Sequence, residues 1–177
     1  METMEAIAAR RSCRAYSGQQ LTEKELDLIL AAANAAPVAR KIYENVKLTV
    51  IQDRDFINKM EAAAFGTFDK IGEHPTYGAP TLILVCGKND DERTKALAYC
   101  NASCIIENMM LAATDLGLGS IYLFAVPYIL ADNAEFYAAA QVPEGFFPAA
   151  MVGVGKAAQE VVAQPLTREN IVTDFIR

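Results

Sequence analysis

The residues best suited to chemistry form a short basic cluster that reads Arg10-Arg11-Ser12-Cys13-Arg14. Three of the chain's 16 lysines and arginines fall within these five positions. Guanidinium groups match the oxygens of a phosphate, and serine adds a hydroxyl donor. The pattern therefore predicts an anion site, most simply for a cofactor phosphate. The alternative is that these side chains merely oppose the dipole at the end of a short helix, and the five residues alone leave both interpretations open.

Two glycine pairs suggest nucleotide-binding loops, but neither has the required spacing. Gly117-Leu118-Gly119-Ser120 follows an apolar helical pattern, so a helix C-cap explains it. Gly153-Val154-Gly155-Lys156 follows a strand-like run, and no helical pattern comes after it. A P-loop needs four residues between its glycines, and a dinucleotide-binding turn needs Gly-x-Gly-x-x-Gly. The sequence leaves two interpretations of Lys156: an anion contact or a solvated surface lysine.

The other reactive side chains do not predict a metal centre. The four cysteines, at positions 13, 86, 100 and 104, lack paired metal-site spacing. A zinc site on Cys100 and Cys104 would need two further ligands, and the chain has a single histidine. We expect free thiols and a solvated loop position for His74. The sequence also shows no nucleophile–base pair, so any redox or transfer chemistry must come from a cofactor.

Length and charge narrow the class of protein. At 177 residues the chain can bury one core, so we expect a single domain over residues 1–177. A net charge of −6 and a pI near 4.8 argue against a nucleic-acid partner. No apolar run approaches the roughly 20 residues of a membrane-spanning helix. Glu2 and Glu5 precede no apolar signal core, so we expect a cytoplasmic protein that binds no membrane.

Alternating helices and strands must position these side chains. The clearest helix begins after Thr22, where Glu25 completes a capping box, and Pro37 ends it. The other predicted elements are helices at 2–10, 54–64, 94–116 and 127–140, strands at 46–51, 81–86, 120–123 and 148–154, and a loop at 65–80. Strands that alternate with helices predict, by pattern alone, a parallel α/β sheet.

The predicted helix at 94–116 is apolar on almost every side in its second half. A helix of this kind in a soluble protein is buried on all sides. A subunit interface along the helix achieves this more easily than one domain of this size, so we expect an oligomer. Glu107 and Asn108 lie within the apolar stretch and need hydrogen-bonding partners if they are buried.

Four short motifs follow one another along almost the whole chain. They are residues 10–16 (Arg-Arg-Ser-Cys-Arg-Ala-Tyr), the helix ending in Ala36-Pro37, residues 79–85 (Ala-Pro-Thr-Leu-Ile-Leu-Val), and residues 107–113 followed by Gly117-Leu118-Gly119-Ser120. Their order resembles the nitroreductase family of FMN-dependent oxidoreductases, which typically shows Arg-x-Ser-x-Arg/Lys-x-Phe/Tyr at the first motif. Each motif is weak alone, and the four in the correct order are fairly specific.

The resemblance implies an α+β, three-layer fold in which helices flank a mixed central β-sheet. It also implies an intertwined homodimer with two FMN molecules at the interface, which agrees with the expectation of an oligomer from the apolar helix. In the family a C-terminal arm reaches across to the partner subunit. Residues 157–177, which show little packing pattern of their own, would be this arm.

The resemblance assigns phosphate and ring contacts to separate residues. Arg10 and Ser12 would bind the FMN phosphate, and Arg11 joins the cofactor-binding set by its spacing only. Either Lys156 or Arg168 would complete the phosphate site, and we favour Lys156. Arg14 would lie near the N1/O2 edge of the isoalloxazine ring. Backbone groups would contact the ring at Pro37, Val38 and Ala39, and flavin N5 at Tyr122, Leu123 and Phe124.

The activity implied is a ping-pong transfer of hydride or electrons from NAD(P)H through flavin N5 to a small oxidised acceptor, such as a nitroaromatic compound or a quinone. A non-catalytic flavin-binding or redox-sensing dimer on the same fold is the alternative. The chain departs from the family's pattern at residues 38–45, where the usual Ser, Asn, Gln and Pro-Trp are absent, and at the short segment 65–80. Both departures leave the acceptor open, and the sequence does not reveal whether NADH or NADPH is preferred.

Overall fold

Most predicted helices and strands form at or within a few residues of their expected positions. The computed structural model describes residues 1–65 and 74–177, so residues 66–73 of the predicted 65–80 loop lie outside the described residues. The helices are α1 (Thr3–Ala9), α2 (Glu23–Asn34), α3 (Arg54–Ala64), α4 (Glu92–Asp115), α5 (Ala125–Ile129) and α6 (Ala134–Ala139). The strands are β1 (Val46–Ile51), β2 (Thr81–Lys88), β3 (Gly119–Leu123) and β4 (Phe146–Gly155).

The four strands form one sheet in the order β1-β2-β4-β3, and every neighbouring pair is antiparallel. The parallel α/β sheet predicted from the alternation of elements is therefore wrong. Alternation does not say which strands become neighbours, and here strands far apart in the chain pair side by side. Within the described part of one chain, parallel pairing occurs at the isolated bridge between Ser12 and Ser120.

Helices cover both faces of the sheet, which confirms the α+β class and the three-layer arrangement. On one face α2 and α4 pack over a core that includes Ile29, Ile106 and Val152. On the other face α3, α5 and α6 enclose a second core that includes Ile57 and Leu84. The central strands β2 and β4 carry apolar side chains on both faces, as the unbroken apolar run at 81–86 predicts.

Local capping explains where most helices begin. Thr22 accepts a hydrogen bond from the N–H of Glu25, and the Glu25 carboxylate accepts one from the N–H of Thr22, so the predicted capping box is confirmed.

The single helix predicted at 127–140 is wrong. The chain instead forms α5, a short 3-10 turn at Leu130–Asp132, and α6. Asn133 starts α6 anew, because its Oδ1 accepts the N–H of Phe136.

Helix α4 is the structural centre of the first core. By length and composition alone it could cross a membrane. It packs against α2, β2, β3 and β4, however, which is the position of a core helix. Both polar residues that needed partners have them. The Asn108 amide donates to the carbonyl of Ala32 at 3.1 Å, and Glu107 pairs with Arg10.

Candidate functional site

The basic turn, residues 10–14, docks against the first residues of β3. The N–H of Cys13 donates to the carbonyl of Ser120 at 2.8 Å, and Ser12 pairs with the same serine in the parallel bridge. A Cβ atom at position 119 would lie 2.7 Å from the sulfur of Cys13. Gly119 is therefore required by close approach, because any side chain there would push the basic turn off the strand.

The same segment then runs alongside the end of β4, where Lys156 lies. The N–H of Ser17 donates to the carbonyl of Lys156 at 2.9 Å. The structure therefore brings Lys156 next to the segment that carries the basic turn. Arg168 lies instead in the exposed C-terminal segment, where its guanidinium is 5.8 Å from the ring centroid of Phe175.

The charged side chains of the basic turn point to different neighbours. The Nε of Arg10 is 3.5 Å from Oε1 of Glu107, and both side chains keep part of their surface in solvent, 26% and 48% respectively. Arg14 is exposed, and its guanidinium carbon lies 5.9 Å from the ring centroid of Tyr77. Arg10 thus lies against α4 while Arg14 extends toward the turn that precedes β2.

Two buried polar atoms near this docking point lack hydrogen-bonding partners among the described residues. They are the Nε of Arg11 and the Oγ of Ser120. Buried donors of this kind are costly to leave unpaired, so they are expected to belong to a site that a ligand or water completes. Together with the hydroxyl of Ser12 they form a set of donors, which is the chemistry that an anion needs.

The side chains around the site are not poised for acid–base catalysis. Tyr16 donates its hydroxyl to the carbonyl of Gly153 at 3.3 Å, and burial raises its pKa, so the phenol stays neutral. Farther along β2, away from the site, burial likewise raises the pKa of the Cys86 thiol, to about 12. The described residues contain no group of three or more His, Cys, Asp or Glu side chains that could hold a metal ion.

Residues 37–39 contact a different part of α4, nearer its N-terminus. Val38 is buried, and the N–H of Ala39 donates to Oδ1 of Asn101 at 2.9 Å. Asn101 and Glu107, the partner of Arg10, are six positions apart on α4, which is about 9 Å along the axis and on different faces. Within the described residues no hydrogen bond or ion pair joins Pro37, Val38 or Ala39 to the basic turn. Within one chain the two predicted groups therefore contact α4 at different heights and on different faces.

Residues 122–124 lie at the far end of β3, about 10 Å along the strand from Ser120. Leu123 is buried, and the hydroxyl of Tyr122 is 3.3 Å from the Oγ of Ser103. Phe124 remains 45% exposed and stacks on Tyr128, with ring centroids 5.4 Å apart. The strand thus links the basic turn at one end to an exposed aromatic pair at the other.

The sequence interpretation missed the turn that holds Tyr77 beside Arg14. Tyr77 adopts a left-handed backbone, with φ of 57°. The turn is fastened to α3 by Glu61, whose carboxylate accepts hydrogen bonds from the N–H and the hydroxyl of Thr76. Glu61 also lies 3.0 Å from the Nδ1 of His74, whose side chain is otherwise largely exposed as expected. A glutamate in the middle of an apolar helix face was the available signal.

The family model that describes the nitroreductase family matches residues 7–156 of this chain. The chain belongs to the nitroreductase family. A relative from Methanothermobacter thermautotrophicus, provisionally described as an NADH dehydrogenase/NAD(P)H nitroreductase, is 30% identical over 99% of this chain and 86% of its own length.

Solved nitroreductase structures share the whole fold. A nitroreductase from Bacteroides fragilis with bound FMN has a TM-score of 0.81 and 26% identity, and the match covers 99% of this chain and 100% of that chain. A nitroreductase from Desulfitobacterium hafniense, also with bound FMN, has a TM-score of 0.83 at 24% identity over the same shares of the two chains. The resemblance of the four motifs is thus confirmed at the level of family and fold.

Proposed function

We propose that this nitroreductase-family protein is an FMN-dependent oxidoreductase that uses NAD(P)H to reduce a small oxidised acceptor in a ping-pong cycle. The reaction balances as NAD(P)H, a proton and the acceptor giving NAD(P)⁺ and the two-electron-reduced acceptor. The observation that carries the proposal is the basic turn docked on β3 with two unpaired buried polar atoms beside it. FMN-bound relatives of the same fold support the choice of cofactor.

The residues present fit the phosphate of FMN. Arg10 and Arg11 supply guanidinium donors, Ser12 supplies a hydroxyl, and Lys156 adds a second kind of cation at the end of β4. Charge-assisted hydrogen bonds of this type are roughly twice as strong as neutral ones. The unpaired Nε of Arg11 and Oγ of Ser120 fit the same anion or the water around it. We favour Lys156 over Arg168, because the carbonyl of Lys156 accepts the N–H of Ser17 beside this segment, whereas the guanidinium of Arg168 lies against the ring of Phe175.

Arg14 and the residues at the end of β3 would contact the ring of the cofactor. Bound FMN supplies hydride transfer at its N5 atom. Arg14 would lie at the N1/O2 edge, where its positive charge would stabilise negative charge on the ring, because a fixed cation acts most strongly where charge develops. Backbone groups at residues 122–124 would lie on the N5 side. No side chain of this chain needs to accept or donate a covalent bond in the cycle.

We infer that the site is completed by a second copy of the chain. Within one chain, Pro37, Val38 and Ala39 lie about 9 Å along α4 from the partner of Arg10 and on a different face. Both groups can border one cofactor if each subunit supplies its residues 37–39 to the other subunit's site. This arrangement gives two equivalent cofactor sites in a twofold-symmetric homodimer.

The C-terminal segment, residues 157–177, is the arm that we infer to hold the dimer together. It exposes apolar side chains that one chain leaves uncovered, including Ile171 (78%), Val172 (92%) and Ile176 (103%). Strand β1 is an edge of the sheet, and beside it lies a groove of about 940 Å³ between α3 and α6. An open strand edge with a groove is a standard docking place for an extended segment. We assign it to the arm of the second copy.

The four free cysteines, two of them exposed, fit a reducing compartment, and we place the protein in the cytoplasm.

The first experiment asks whether the protein binds FMN and turns it over. Purified protein should be yellow with a flavin absorption band, and anaerobic mixing with NADH or NADPH should bleach that band rapidly. Addition of a quinone or nitroaromatic acceptor should restore it. A colourless protein that takes up no added FMN would refute the proposal. A yellow protein that neither nucleotide bleaches would instead be the flavin-binding or redox-sensing dimer.

The second experiment tests the phosphate contact. Arg10→Ala should weaken FMN binding about 10- to 150-fold, because a hydrogen bond to a charged group contributes about 1.5–3 kcal/mol. Flavin retained after dialysis is the measurement, and Arg54→Ala on α3 is the matched control. Equal retention of flavin by the two variants would remove Arg10 from the site.

The third experiment tests the arm. A chain ending at residue 158 should shift toward the monomer in analytical ultracentrifugation and should lose FMN, because the second copy no longer supports the site. A truncated chain that stays dimeric and yellow would show that the arm is dispensable.

A further inference from the structure

A second basic cleft lies beside the segment at which this chain departs from its family's pattern. The cleft has a volume of about 180 Å³ and lies between the turn at Ala39–Lys41 and the first turns of α4. Its lining includes three cationic side chains and one carboxylate: Arg40, Lys88 and Arg93, with Asp91. In a protein of net charge −6 this is a local excess of positive charge.

The charges that remain available in the cleft are the two arginines. Lys88 is paired with Asp90 at 3.0 Å, so its charge is largely compensated. The Asp91 carboxylate accepts the N–H and the hydroxyl of Thr94 as the cap of α4, and these bonds lower its pKa. Arg40 and Arg93 are exposed and form no ion pair within the described part of the chain. Two guanidinium forks offer the geometry that a phosphate dianion needs.

The backbone that presents Arg40 is strained. Arg40 and Lys41 both have φ of 58°, a left-handed conformation that non-glycine residues adopt rarely. The turn is held by the N–H of Lys41 donating to the carbonyl of Val38, and by Ala39 bonded to Asn101. Because Asn101 accepts with Oδ1, its remaining polar atom is a donor, and this residue also lines the cleft. Backbone strain that the surroundings maintain is typical of functional segments.

We propose that this cleft, named here the anion cleft, binds the 2′-phosphate of NADPH. The inference rests on the proposed function, because it is the NAD(P)H of that reaction that brings the phosphate. The cleft begins at Ala39, one of the residues assigned to the flavin ring, so a nucleotide at the ring lies close to it. At about 30 Å³ per water, its volume holds roughly six waters, which is enough room for a phosphate group. NADPH differs from NADH by this one phosphomonoester.

Binding tests the cleft without any turnover. The holoprotein is titrated by calorimetry with adenosine 2′,5′-bisphosphate, adenosine 5′-monophosphate and inorganic phosphate. We expect the bisphosphate to bind about 100-fold more tightly than the monophosphate, about 10-fold for each arginine. Arg40→Gln and Arg93→Gln should each remove about 10-fold of that preference, whereas Arg54→Gln, an exposed arginine on the opposite side of the sheet, should not change it. Equal affinities in all variants overturn the proposal.

Steady-state kinetics then separate the nucleotide from a free phosphate. Arg93→Gln should lower kcat/KM for NADPH about 10-fold and leave that for NADH unchanged. If inorganic phosphate binds as tightly as the bisphosphate and the NADPH-to-NADH ratio does not move, the cleft is a phosphate site and the nucleotide assignment is overturned. If neither nucleotide reduces the protein but the bisphosphate still binds through both arginines, the proposed oxidoreductase function fails and the cleft assignment stands.

Discussion

Glu61 offers the sharpest test of how the turn before β2 is held. Only 5% of this residue is exposed, and its carboxylate accepts both the N–H and the hydroxyl of Thr76, which is itself fully buried. Its other contact, His74, lies mostly in solvent. The next residue in the turn is Tyr77, which lies beside the guanidinium of Arg14. Glu61→Ala therefore removes the anchor of the turn while every residue assigned to the cofactor keeps its own side chain.

The expected loss of stability follows from the N–H and the hydroxyl of Thr76, which lose their acceptor in Glu61→Ala. Each buried donor without a partner costs about 1–3 kcal/mol, so the pair costs about 2–6 kcal/mol, with a central value of about 4 kcal/mol. The exposed ring of His74 regains water and adds little. For a chain of this size 1 kcal/mol corresponds to about 2–4 °C in Tm, so we expect a fall of about 12 °C. Glu61→Gln keeps an acceptor for Thr76, so its Tm should fall by about half as much.

Thermal unfolding followed by circular dichroism measures this difference. Glu44→Ala is the control, because that carboxylate is exposed and its removal should shift Tm by no more than about 1–2 °C. A fall of less than about 4 °C in Glu61→Ala would mean that the carboxylate does not hold the turn. An equal fall in Glu61→Ala and Glu61→Gln would show that packing, and not acceptance of the two bonds, is responsible.

Three further predictions concern stability. The thiol of Cys86 has a pKa near 9 in the unfolded chain and about 12 in the folded one. The free energy of unfolding should therefore fall above pH 9, by up to about 1.4 kcal/mol per pH unit. Cys86→Ala should flatten this slope, and an unchanged slope would show that the buried thiol is not its cause. Gly87→Ala should cost about 1–3 kcal/mol in urea unfolding, because a Cβ there lies 2.3 Å from that of Ala98; the double variant with Ala98→Gly should recover part of it, and no recovery would contradict the clash. Thr22→Ala should cost about 1 kcal/mol through loss of the cap, whereas Thr173→Ala in the exposed C-terminal segment should be neutral, and equal effects would rule the cap out.

Features with a local cause could be predicted from the sequence. The capping box of Thr22 and Glu25 links residues three apart, so its spacing alone reveals it. The bounds of β1 and α3 agree with the prediction, because apolar periodicity changes where each element begins and ends. The concentration of donors in the basic turn was visible for the same reason, since they lie within five consecutive residues, and its role as an anion site stays a prediction.

Features with a distant cause were decided by the tertiary structure. Strand order, and with it the antiparallel sheet, depends on which strands meet after the chain has folded. The approach of Cys13 to Ser120, and of Glu61 to Thr76, joins residues whose spacing carries no signal. The anion cleft likewise brings a strained turn to the start of α4.

The sequence by itself therefore determined the family and most element boundaries, because the motifs and the periodicity that reveal them lie between near neighbours in the chain. Tertiary structure alone decided the direction of the sheet, the separation of Pro37–Ala39 from the basic turn within one chain, and the cleft between Arg40 and Arg93. These follow from packing α4 across the sheet, and packing of that kind is set by the whole core and not by any one segment.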